Sequence, residues 1–280
     1  MVGAAGGDEK FSYICRMEQL HDTIERIVIV GSGNVAEAFA RAAKVRGIAV
    51  AQIFARNPER GRKVARMAGA EWCNDPARLA AADLYIIAVS DDAVAAVAQS
   101  LPFAEGAIVA HTAGCGRLDA IPERWRRAVI YPFQTFTAGR EVDFSQIPIF
   151  IEGSDSPTTE ALESFARRLS RRVARADSTT RRKIHLAGVF ACNFANRMFG
   201  IGCDIVREAG FGFDILRPLI AETAAKAVAS QSPAEMQTGP AVRGDRNSQE
   251  RHLGLLADEA QLCEIYKLIS DNIWQTSKKR

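Results

Sequence analysis

The chain has 280 residues, 48% hydrophobic and 25% charged, with 36 basic against 33 acidic side chains and a formal net charge of +3. This is the balance of a globular protein of one large or two modest domains, and it gives no global case for binding nucleic acid or a membrane surface. Neither a zinc site nor a disulfide framework is expected, because the six cysteines (Cys15, Cys73, Cys115, Cys192, Cys203 and Cys263) form no C-x-x-C pair.

Reduced thiols fit a cytoplasmic protein best, and no apolar run reaches transmembrane length uninterrupted. Residues 1–24 read as a dispensable N-terminal extension without fixed structure: Gly3, Gly6 and Gly7 precede charge, and no basic segment leads into an apolar core as a signal peptide requires. A short ordered arm is the alternative.

The first strand is expected over 27–30, Ile-Val-Ile-Val, followed at once by Gly31, Ser32, Gly33, Asn34, Val35 and Ala36 and then by an alanine-rich helical pattern. Strand, tight glycine turn and helix N-terminus in this order make the dinucleotide-binding fingerprint, G-x-G-x-x-A. Gly31 lets the chain leave the strand sharply, Gly33 lets a pyrophosphate approach the backbone, and Ala36 lets helix and strand pack closely. The free N–H groups at the helix start favour phosphate.

After Gly47 a second strand is expected over 48–54, ending in Arg56-Asn57-Pro58-Glu59-Arg60. An NAD site wants an acid at this strand end to take the ribose hydroxyl. Arg56 stands there instead, flanked by Asn57 and Arg60, and a guanidinium suits a 2′-phosphate. NADP is therefore expected rather than NAD, the alternative being an arginine that only lies on the surface.

Further strands are expected over 71–73, 82–89, 107–110, 129–131, 148–151 and 172–176, alternating with helices over 58–68, 93–100 and 156–170. The fold class is α/β, a doubly wound and mainly parallel sheet. Val89, Ser90 and Asp91 end a strand on the coenzyme edge, although Asp91 or Asp92 also fits a helix cap. The next two strands run into His111-Thr112-Ala113-Gly114 and into Pro132-Phe133-Gln134-Thr135-Phe136.

From 179 onward no strand is expected, so the chain divides into a coenzyme domain, 25–178, and an all-helical domain, 179–280. Helices are expected over 181–209, 214–229, 248–257 and 259–275, with a loop over 232–247 containing Arg243. Segment 186–196 of the long helix is apolar nearly all round, which predicts burial. His185, Asn193 and Asn196 fall on one broad face of it, and that stripe means a polar cleft, a structural hydrogen-bond network or a subunit interface.

In the cleft reading, His111, Thr112 and Gln134 converge with Asn193 and Asn196 near the nicotinamide. His111 is the leading proton donor with His185 second, because these are the nearby groups with suitable ordinary pKa values. His111 could equally bond a backbone carbonyl, and His185 could be half exposed. Arg243 could reach a substrate carboxylate or phosphate, or only pair with Asp245. No metal site is expected.

Taken together, the fingerprint at 31–36, His111-Thr112-Ala113-Gly114, Tyr131-Pro132-Phe133-Gln134-Thr135-Phe136, the Asn193/Asn196 helix and Thr238-Gly239-Pro240 with Arg243-Gly244-Asp245 resemble the Rossmann-like, DUF2520 domain-containing family over 25–274. In plan that family is similar to 6-phosphogluconate dehydrogenase, 3-hydroxyisobutyrate dehydrogenase, pyrroline-5-carboxylate reductase and F420-dependent NADP oxidoreductases. The resemblance implies a nicotinamide-binding domain, a helical domain that often dimerises and an oxidoreductase activity.

Hydroxyacid dehydrogenases of this plan carry a catalytic lysine four residues before an asparagine of the long helix. If Asn193 matches that asparagine, the lysine place is taken by Val189, so the lysine-assisted mechanism does not carry over. The expectation is hydride transfer between NADP and a small polar carbonyl or imine compound by a cytoplasmic homodimer. The alternatives are a catalytically silent NADP-binding regulator and, third, reduction of a deazaflavin.

Overall fold

The computed structural model of the protein describes residues 23–278. The expected extension, apart from its last two residues, and Cys15 lie outside the described residues. Eight strands form one sheet: β1 (Arg26–Val30), β2 (Ala49–Phe54), β3 (Glu71–Cys73), β4 (Leu84–Ile87), β5 (Ile108–His111), β6 (Arg126–Pro132), β7 (Ile149–Gly153) and β8 (Val173–Arg175). Their order is β3-β2-β1-β4-β5-β6-β7-β8. Every neighbouring pair is parallel except β6 and β7, which run antiparallel with Tyr131 opposite Phe150.

Alternate residues of β1 enter different cores, Ile27 and Ile29 on one face of the sheet and Val28 and Val30 on the other. That is the two-sided burial expected of a doubly wound sheet.

Helix α1 (Asn34–Val45) lies on the first face through Phe39 and through Ala36, Ala40 and Ala43, the alanines being small enough to let helix and sheet approach closely. Helix α2 (Pro58–Ala68) is set by its ends. Asn57 accepts a hydrogen bond from the Arg60 N–H at 2.9 Å, Pro58 opens the first turn, and Gly69 ends the helix in the left-handed conformation. Helices α3 (Val94–Ser100) and α4 (Ser156–Leu169) complete the wound layers.

After β8 the chain is helical, and its compact units divide after Phe194. The first unit closes with α5 (Ser178–Gly188) and a π-helical turn, Val189–Phe194. The second contains α6 (Ala195–Glu208), α7 (Arg217–Ala229), α8 (Pro240–Arg243), α9 (Arg246–Leu255) and α10 (Ala260–Lys278). The segment expected as a loop over 232–247 is thus partly helical, because Pro233 and Pro240 each open a short turn and Asp245 caps α9 through the Ser248 N–H at 3.1 Å. No helix of the described residues is long and apolar enough to cross a membrane.

Candidate active site

The sheet order reverses at β1, which pairs with β2 on one side and β4 on the other. Ligands of wound sheets bind in the crevice at the carboxyl ends of such strands. Gly31 lies there with φ +126°, and a Cβ on it would overlap the Ala88 carbonyl at the end of β4. At Gly33 a Cβ would meet nothing within 4 Å, so the backbone there stays open to an approaching group.

A cleft of about 1260 Å³ opens at this point, lined by Gly31, Ser32, Gly33, Asn34 and Val35 at the turn, by Arg56 and Asn57 after β2, and by Val89 and Ser90 after β4. Ala36 is buried beneath it, and Arg60 reaches back to donate to the Asn34 side-chain oxygen at 3.2 Å. Asp91 opens a short 3₁₀ turn just beyond the cleft lining. Arg56 is exposed at the end of β2, with no acid before Glu59. An open glycine turn, a helix start and an exposed guanidinium are donors of the kind that suit a phosphorylated dinucleotide.

Beside the cleft lies a cavity of about 300 Å³ lined by Tyr131, Phe133, Gln134 and Thr135 from the end of β6, by His185 and Gly188 of α5, and by Val189, Ala191, Cys192 and Asn193 of the π-turn. Gln134 lines both spaces. Among the described residues, no carboxylate, lysine or arginine lines the cavity. The Tyr131 hydroxyl and His185 Nδ1 share a hydrogen bond at 3.1 Å, and burial pushes the Tyr131 phenol up to about 12. Gly114 makes this pairing possible, because a Cβ there would strike the His185 and Tyr131 rings. The π-turn widens the helix just where Cys192 and Asn193 reach the cavity.

Among the expected catalytic residues, His111 requires correction. It is fully buried; its Nδ1 accepts from the Ala113 N–H at 3.1 Å and its Nε2 bonds the Arg117 carbonyl at 3.0 Å. Burial pulls its pKa down to about 4. A neutral ring with both nitrogens engaged shapes the 111–117 loop, its one N–H held by the Arg117 carbonyl. Thr112 is likewise buried, its hydroxyl near the Ile87 carbonyl at 3.5 Å.

Burial of segment 186–196 is also not found: Leu186 is 55%, Phe190 63% and Phe194 50% exposed. Their apolar character calls for a cover that the described residues do not supply. His185 and Asn193 join the cavity, whereas Asn196 and Arg243 are exposed residues of the second unit, Arg243 closing α8. Tyr131 received no role from the sequence. Its signal was its place at the carboxyl end of a strand, in Tyr-Pro-Phe-Gln-Thr-Phe.

The structure of a proposed NADP oxidoreductase from Bacteroides fragilis, BF3122, is 37% identical, covers 91% of this chain and 99% of its own, and superposes with a TM-score of 0.84. The profile of the DUF2520 domain, a domain of unknown function, matches residues 147–273, and that of the F420-dependent NADP oxidoreductases matches 26–114. The chain belongs to the Rossmann-like, DUF2520-containing family of NADP oxidoreductase type.

Two more distant structures share the fold alone. Thermotoga maritima TM1727 is 20% identical over 90% of this chain and 98% of its own, with a TM-score of 0.71. A reductive aminase from Aspergillus terreus, solved with NADPH and ethyl-5-oxohexanoate, is 15% identical over 92% of this chain and 95% of its own, with a TM-score of 0.67. No functionally curated protein matches the chain.

Proposed function

We propose that this DUF2520 protein is an NADP-dependent oxidoreductase that moves a hydride between the coenzyme and a small polar carbonyl or imine compound held in the Tyr131–His185 cavity. The observation that carries the reading is Gln134, one side chain bordering both the dinucleotide cleft and that cavity. When bound, the coenzyme supplies or accepts the hydride.

The chain's own groups do the rest. Gly31 to Val35 receive the pyrophosphate, and Arg56, with Arg60 behind it, holds the 2′-phosphate. The Gln134 and Asn193 amides orient the acceptor. Tyr131 gives its proton to the oxygen or nitrogen that becomes basic as the hydride arrives, and His185 returns a proton to the phenol through Nδ1. A phenol at about 12 keeps its proton until such a strong base forms.

The protein is read as a homodimer. Among the described residues of the second unit only Ala241 and Ser270 are buried. A helical unit of this size with so little core is not self-sufficient, and a second copy presenting the same apolar faces is the simplest cover. The cytoplasm is the proposed location.

A catalytically silent, coenzyme-binding regulator is the second reading. It is favoured by Val189, which lines the cavity at the place where related dehydrogenases carry lysine. Deazaflavin reduction gains little, because the F420-dependent profile covers only 26–114, within the coenzyme-binding part. NADPH oxidation followed against a panel of small ketones, aldehydes and cyclic imines separates these readings. The oxidoreductase reading expects turnover with at least one class; NADPH binding without turnover across the panel favours the regulator.

A further inference from the structure

Arg181, one helical turn before His185, is completely buried. Its guanidinium forms an ion pair with Glu152 of β7, donates to the Gly116 carbonyl and reaches the Ser178 hydroxyl at 3.3 Å. Ser178 in turn donates to the Glu152 carboxylate at 2.9 Å and accepts from the Leu118 N–H at 3.3 Å. The Arg181 Nε has no partner among the described residues. A buried ion pair that leaves a donor orphaned is a poor source of stability, since desolvation offsets its attraction; what it supplies is one permitted alignment.

The alignment can be read across the sheet. His111 and Glu152 both face Val129, from β5 and β7, and make one row with it. Tyr131, two residues beyond Val129, points to the same face. On α5, His185 follows Arg181 by four residues and shares its side of the helix. Four helical residues advance about 6 Å and two strand residues about 6.7 Å, so placing Arg181 at the Glu152 row brings His185 to Tyr131. Gly188, three residues further, meets the Phe133 ring. The Gly116 carbonyl bound by Arg181 belongs to the loop that His111 closes, and Gly114 of that loop backs the His185 ring.

We propose that Arg181 and Glu152 are positioning residues that fix the register of α5 on β6 and so hold His185 on Tyr131. The proposal rests on the oxidoreductase reading of the cavity. Neither side chain lines the cavity, so both act through the pair.

The test is the ring-nitrogen NMR signature of His185 in the full chain, with Tyr131→Phe as the reference for a broken pair. Replacing both Arg181 and Glu152 by Met removes the buried charges together and favours a folded protein. Expected are His185 signals at the Tyr131→Phe position, NADPH affinity within about twofold of wild type, and a fall in turnover matching that of Tyr131→Phe. Wild-type His185 signals in the folded double variant overturn the proposal. If that variant does not fold, the milder Glu152→Gln is read the same way. Should Tyr131→Phe itself leave the His185 signals unchanged, the pair does not exist in solution, and the reading of the site fails together with its clamp.

Discussion

The hydroxyl of Tyr131 and the Nδ1 of His185 meet at 3.1 Å although 54 residues separate them. Once an active substrate is in hand, Tyr131→Phe should lower kcat by roughly 10²–10⁴-fold with NADPH binding intact, the range of a lost general acid. His185→Gln should cost less, because it orients and reprotonates the phenol rather than meeting the substrate. Since burial places the phenol at about 12, kcat should not lose this donor near the ordinary tyrosine value of 10. A pH profile falling through 10 in wild type and flat in Tyr131→Phe would contradict the environment described here.

Coenzyme choice is expected to lie with Arg56. Arg56→Ala removes a charge-assisted contact worth about 1.5–3 kcal/mol, so NADPH affinity should fall roughly tenfold to a hundredfold by fluorescence titration, while NADH affinity stays level. Equal losses for both coenzymes would assign the guanidinium to the pyrophosphate or to the surface.

Acid should destabilise the protein through His111. Its folded pKa, about 4, lies below the ordinary histidine value of 6.5, so the unfolded chain binds the proton first. The stability this neutral ring contributes is complete above pH 6.5 and is lost progressively as pH falls toward 4. The loss amounts to about 3 kcal/mol at 1.36 kcal/mol per unit. Denaturant unfolding at several pH values should show that slope in wild type and lack it in His111→Gln, which should be weaker at neutral pH.

A second copy over the helical unit has a direct measure. Light scattering should give twice the monomer mass. Leu219→Asp on α7 and Leu268→Asp on α10, at positions 63% and 70% exposed in the single chain, should shift the protein toward monomer and lower its Tm. A wild-type monomer at micromolar concentration would remove the dimer.

The layered sheet was legible because its signals are local. The apolar run at 27–30 and the glycine turn at 31–36 each depend on a few adjacent residues. The cleft at the glycine turn followed for the same reason. His111 was misjudged because its type shows that it can titrate, while only the folded loop shows the Ala113 N–H and Arg117 carbonyl closing round its ring. The 186–196 helix was expected inside because apolarity says that a face is covered, not by which chain. The single broad face given to His185, Asn193 and Asn196 also assumed a regular helix, whereas a π-turn adds a residue to the turn and rotates whatever follows. Tyr131 stayed unassigned because its partner arrives from another element.

The antiparallel pairing of β6 and β7 settles which end of a helix reaches the chemistry. Since β7 runs against β6 and β8 runs with β7, the chain leaves the sheet at the rim opposite the glycine turn. Helix α5 must then climb back along β6, anchored at its foot by Arg181 and arriving at the coenzyme rim with His185 and then Asn193. A parallel β7 would have released the chain at the upper rim and sent the same helix away from it.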